Sequence, residues 1–212
     1  MDNNPYAPKF EDLPDILPIF PLAGVLLLPY GELPLNIFEP HYVKMFDDAM
    51  SGNRLIGMIQ PKNDNEIYTT GCVGKIIEFN ETPDGRYMVK LSGISRFALS
   101  EELTVTTPYR QIKPDWNAYQ EDLDPVKCLG INREKLTELL GIYFSEQELS
   151  CDWTKVHEAS DGRLITCLSM ICPFDASEKQ ALLEAPCCKT RAQTFMTMLE
   201  MAVRGCKTVC EH

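Results

Sequence analysis

The chain has 212 residues, enough for one large domain or two small subdomains built on a real core. Hydrophobic residues make up 44% and charged residues 24%, proportions that exclude a disordered or fibrous chain. The net charge of -11, with no run of basic residues, argues against nucleic acid and anionic lipid as partners.

Met1 to Asp12 is polar and lacks the basic and apolar regions of a signal peptide. Apolar stretches such as Val25 to Leu28 fall far short of the roughly 20 residues that cross a bilayer. A cytoplasmic protein with no membrane partner is expected. Ile16 to Leu22 is apolar but carries Pro18 and Pro21, which predicts an edge or irregular strand, because proline cannot donate to a ladder. Val25 to Leu28 follows a turn at Gly24, and Leu33 to Glu39 is a further extended run. Pro40 suits the first turn of a helix, which is predicted to reach about Met50 with Tyr42, Val43, Phe46 and Ala49 on overlapping apolar faces. Ser51-Gly52-Asn53 ends it.

Leu55 to Gln60 reads as a short buried strand. Gly71 to Asn80 and Tyr87 to Ser92 flank Pro83-Asp84-Gly85, a turn signal, and predict a hairpin. Separate strands are expected over Ser95 to Thr106 and Tyr109 to Lys113. Short strands broken by Gly and Pro suggest a small barrel or sandwich. Pro114 to Ile131, with an acidic cluster at Glu121, Asp122 and Asp124, reads as a connector.

Beyond it the apolar period becomes helical, in Arg133 to Phe144 and Arg163 to Ile171. Asp175-Ala-Ser-Glu178 is a capping box that opens a third helix, closed by Pro186. A last helix over Lys189 to Arg204 is expected to bury Phe195, Met196, Leu199, Ala202 and Val203. The expected organisation is a β-rich part over 13–113, a connector over 114–131 and a helical part over 132–205, packed on each other.

Nine cysteines stand at 72, 128, 151, 167, 172, 187, 188, 206 and 210, an odd count with no CxxC pair. Free thiols are expected. Cys187, Cys188, Cys206, Cys210 and His212 could gather round zinc only in part, since Cys206 and Cys210 alone have suitable spacing. No metal and no cofactor is expected.

Two segments carry a family resemblance. Leu17-Pro-Ile-Phe-Pro-Leu-Ala-Gly-Val-Leu-Leu-Leu-Pro followed by Leu33-Pro-Leu-Asn-Ile-Phe-Glu-Pro-His-Tyr42 resembles the opening of the Lon protease N-terminal domain, with its PLFPL and PL-x-IFEPRY elements. Ser177-Glu-Lys-Gln-Ala-Leu-Leu-Glu184 resembles a helix start in that family's helical subdomain. Gly93-Ile-Ser-Arg-Phe97 and Pro108-Tyr109 fall where the family has GxxRF and PY, so the resemblance covers roughly 13–203. His41 departs from the pattern, which usually has Arg there.

The resemblance implies an α+β fold: a small PUA-like β-barrel subdomain followed by a C-terminal helical bundle. It also implies capture of client proteins or exposed peptide segments, and a protease acting in trans is a partner that such a role would admit. Candidate binding residues are Phe38, Glu39, His41, Tyr42, Arg96, Phe97 and Tyr109. Glu39 and Arg96 have two readings, polar contacts in a groove or a partly buried ion pair. The four aromatics likewise either line a peptide groove or fill the core of the barrel.

Catalytic machinery is not expected. Gly52 and Gly57 have P-loop spacing, but Met58-Ile59 follows in place of Lys and Ser or Thr. Nine residues after Val203 leave no room for a Ser-Lys proteolytic module. His157-Glu158 lacks the second His of a zincin helix, and no G-x-S-x-G elbow occurs. The leading expectation is a non-catalytic protein-binding module. Two alternatives stay open. One is an RNA-associated PUA-like protein, against which the charge argues. The other is a small-molecule enzyme built on a low-pKa cysteine, for which the sequence names no base.

Overall fold

In a computed structural model, residue 6 and residues 8–63, 65–124 and 130–209 are described, with the side chains of 205–209 left aside. Leu17–Pro21 (β1) is an interior strand, not the edge strand that its prolines suggested. It pairs in parallel with Leu55–Pro61 (β3) and antiparallel with Gln111–Asp115 (β6). The two pairings are offset along the strand. Partners on β6 stop at Pro18 and partners on β3 begin at Ile19, so each proline lies outside one ladder. The amides of Ile19 and Leu22 donate to Arg110 and Ile59 on opposite sides.

Val25 to Leu28 joins no ladder, yet Leu26, Leu27 and Leu28 are buried. Glu32–Ile37 (β2) leads to Pro40–Met50 (α1), with Pro40 in the first turn and Met45, Phe46 and Ala49 buried. The left-handed residue after α1 is Arg54, whose amide reaches back to the Ala49 carbonyl. Ile67–Glu81 (β4) and Tyr87–Glu102 (β5) form a long hairpin across the expected turn, where Gly85 takes a φ of +78°.

β5 is continuous where the sequence suggested a break at Gly93. That glycine marks a close approach instead. Its amide donates to the Gly31 carbonyl at 2.8 Å, and a Cβ there would overlap the Leu28 carbonyl oxygen. Ile94 is the extra residue of a bulge, since Gly93 faces Gly74 while Ser95 faces Val73. One inserted residue reverses the alternation. Before it, Val89 and Leu91 pack towards the helices; after it, Phe97 packs with Leu17, Ile19, Val73 and Ile112 in a second core.

The sheet has six strands in the order β2-β5-β4-β3-β1-β6, and β6 also pairs with the far end of β5. The ladder β5-β4-β3-β1-β6 therefore closes on itself and leaves β2 outside the ring. Asn117–Leu123, in the stretch expected as a connector, forms a 3-10 helix against β5.

The second part is helical: Arg133–Glu146 (α2), Trp153–Glu158 (α3), Asp161–Ile171 (α4), Ala176–Glu184 (α5) and Cys188–Val209 (α6). α3 was not foreseen. The capping box holds in full, with Asp175 accepting from the Glu178 amide and Glu178 accepting from the Asp175 amide. One core runs through both parts, joining Phe20, Leu35, Phe46 and Val89 to Leu140, Leu168, Leu182, Phe195 and Leu199. Among the described residues, no helix is long and apolar enough to cross a membrane.

Candidate functional site

The seven candidate residues fall into two groups. Phe38, Glu39, His41 and Tyr42 lie together where β2 turns into α1. Pro40 fixes that corner, and Glu39 precedes it in extended backbone. Phe38 is 59% exposed. His41 Nε2 lies 3.6 Å from Glu39 Oε2, and its ring lies 4.0 Å from that of Tyr42. Tyr42 in turn packs on Phe20 at 4.1 Å between centroids. Burial, then the Glu39 charge, raises the Tyr42 hydroxyl above its ordinary pKa. This corner offers an accessible aromatic surface with one carboxylate and one imidazole.

Arg96, Phe97 and Tyr109 are enclosed. Phe97 lies inside the closed ladder against Trp116, at 5.9 Å between centroids. The Tyr109 hydroxyl donates to Asp48 at 2.9 Å and ties the β6 approach to α1. Burial and that bond push its pKa up to about 12.

Arg96 is ion-paired, but to Asp122 rather than to Glu39. Its Nε and Nη2 donate to the two Asp122 oxygens at 2.8 Å each, and its own amide also donates to Asp122. Nη1 donates to the carbonyls of Leu183 at 3.0 Å and Ala185 at 2.6 Å, at the end of α5. Tyr119 lies 4.3 Å below the guanidinium. Burial opposes the charge, yet the Asp122 bonds outweigh it and hold the pKa above the arginine norm. Arg96 thus fastens the 3-10 helix and α5 to β5.

Several residues of this junction were not singled out from the sequence. Arg191 donates to the Leu182 carbonyl, and burial followed by the nearby Arg96 charge pushes its pKa down. Gln60 binds the Ala176 carbonyl and the Gln180 side chain while accepting from the Gly24 amide, and Lys179 donates to the Gly24 carbonyl at 2.9 Å. The bonds that Gln60 and Gly24 make to α5 span 116 to 155 residues of chain, so no local pattern announces them.

A depression of about 440 Å³ is lined by Phe10, Glu121, Leu123 and Asp124 among others, and by none of the seven candidates. Burial raises the Cys172 thiol to about 12 and Cys72 higher still. The exposed Cys187 is instead lowered, chiefly by the Thr190 hydroxyl at 3.4 Å. No group of three metal-binding side chains occurs among the described residues. Cys128, Cys210, His212 and the Cys206 side chain lie outside the described residues.

Comparison with known proteins supplies the remaining observation. Residues 16–201 match the model of the ATP-dependent protease La (LON) substrate-binding domain. Lon protease 2 of Myxococcus xanthus is 28% identical over 202 residues, and the Lon protease of Dictyoglomus thermophilum 29% over 196. The matches cover 89% and 86% of this chain but 24% of each relative, so the chain spans about a quarter of their length. A Lon N-terminal domain protein from Xanthomonas campestris has the same fold, with a TM-score of 0.62 at 19% identity, covering 86% of this chain and 97% of that one. The N-terminal domain of the Mycobacterium avium complex Lon protease gives 0.61 at 12% identity, covering 89% and 98%.

Proposed function

This chain belongs to the Lon substrate-binding-domain family, and from that premise we propose that it is a non-catalytic module that binds exposed or extended segments of client proteins. The observation that carries the reading is the corner at 38–42. It combines a family motif, an exposed aromatic and a small set of polar anchors, the composition expected of a peptide-binding surface. On this reading Phe38, Glu39, His41 and Tyr42 touch the client. Arg96, Phe97 and Tyr109 hold the frame.

The closed ladder is read as the PUA-like barrel, and residues 13–113, 114–131 and 132–205 as barrel part, connector and helical part of one domain. The continuous core through both parts supports treating them as one unit. The proposed setting is the cytoplasm, with a protease in trans as a candidate partner. Cross-linking the full chain to one protein in a permanently unfolded form and in its native form tests this. Capture of the unfolded form alone is expected. Equal capture of both, or of neither, contradicts it.

A further inference from the structure

We propose that the free edge of β2, with the solvent face it shares with β5 and β4, docks an extended client segment whose basic side chains alternate with apolar ones. This rests on the client-binding reading above and adds the surface and the chemistry of the segment.

β2 ends the strand order, and β5 is its only neighbour among the described residues. Its register fixes which backbone groups stay free. The bond from the Gly93 amide to the Gly31 carbonyl lies on the same diagonal as the pairs Glu32 with Ser92 through Ile37 with Tyr87. Bonded and non-bonded pairs alternate in an antiparallel ladder. Leu33, Leu35 and Ile37 therefore bond to β5, while Glu32, Pro34 and Asn36 turn their backbone groups outward. The place of Pro34 agrees, since a residue without an amide hydrogen loses nothing there.

The outward edge thus offers three carbonyls, at Glu32, Pro34 and Asn36, but only two amides. Pairing with a second copy of the same edge would set one acceptor-rich row against another, with Pro34 removing a donor from each. A foreign segment without proline brings an unbroken row of amides to these three carbonyls and fits better.

The side chains point the same way. Phe38 and Met88, both well exposed, lie on the outer face, while Val89 and Leu91 pack into the core on the other. On that outer face Glu32 and Glu78 share one cation, Lys90, at 3.9 and 2.8 Å. The ring of Phe38 already has the Arg86 guanidinium 6.0 Å from its centroid, a geometry that a client's cation can take over. The chain's net charge of -11 attracts such a segment from a distance.

The test is fluorescence anisotropy of the full chain with a labelled peptide alternating Lys and Val, beside one alternating Glu and Val. The Lys peptide is expected to bind, and more weakly as salt rises; the Glu peptide is expected to bind at least about tenfold less tightly. Asn36→Pro removes one outward amide and should weaken the Lys peptide by about tenfold, the loss of roughly one interface hydrogen bond. Met88→Ser, on the same face but outside the edge backbone, should weaken it several-fold and serves if the proline variant does not fold. Equal affinity for both peptides, or unchanged affinity in whichever of the two variants fold, overturns the proposal. If an unfolded client binds the wild type and these variants alike, the edge proposal falls and the module reading stands. If neither clients nor peptides bind the wild type, both fall.

Discussion

Arg96→Met keeps the apolar stem and deletes the guanidinium, which isolates what the junction contributes. Asp122 loses two hydrogen bonds of 2.8 Å while its side chain stays only 11% exposed. It retains the bond from the Arg96 amide, so the cost should lie near the low end of the roughly 3–5 kcal/mol seen when one partner of a buried pair is removed. The Leu183 and Ala185 carbonyls lose their donor as well, at about 0.5–1.5 kcal/mol for each bond. A total of about 4–6 kcal/mol follows. In urea, with a slope of about 3 kcal/mol per molar, the midpoint should fall by more than about 1 M.

The double variant Arg96→Met, Asp122→Leu replaces the pair with apolar groups and should recover much of the loss, with a coupling of at least about 2 kcal/mol. Arg96→Lys keeps the charge but not the fork, and should fall between wild type and Arg96→Met. A loss under about 1 kcal/mol, or additive single variants, would refute the assignment of Arg96 as the fastening between β5, the 3-10 helix and α5.

Gly93→Ala places a methyl group on the Leu28 carbonyl and should destabilise by at least about 1–3 kcal/mol, read as a lower urea midpoint. Phe195→Ala opens a cavity in the core common to both parts and should cost about 3–5 kcal/mol, with far-UV and near-UV signals still melting together; separate transitions would show two independent cores. Asp175→Ala removes the α5 cap. The Glu178 amide and then the Ser177 hydroxyl hold the Asp175 carboxyl below its usual range, so its contribution is full above the unfolded carboxylate pKa and is lost as pH falls through the lower folded value. The urea midpoints of wild type and variant should differ at neutral pH and converge by roughly pH 2.

What the sequence announces is what is local. α1 begins at Pro40 and ends at Met50 as expected, because a first-turn proline and an amphipathic face are both written within eleven residues. The capping box and the hairpin turn are equally local. α3 escaped because six residues with one buried side chain, Val156, carry no readable period. The two prolines of β1 misled because an offset between neighbouring ladders cannot be seen in one strand. At the candidate site, Phe38 to Tyr42 come from a single motif and stay together. The partner of Arg96 lies 26 residues away in a segment that read only as acidic connector, so nothing nearby named Asp122.

The most direct test of the account is a titration of the full chain into one labelled protein, held unfolded in one cell and native in the other, followed by anisotropy. Saturable binding of the unfolded form, at least about tenfold tighter than the native form, is the predicted result. Equal affinity for the two forms, or no binding of the unfolded one, would contradict the reading of this Lon-family chain as a binding module for client segments.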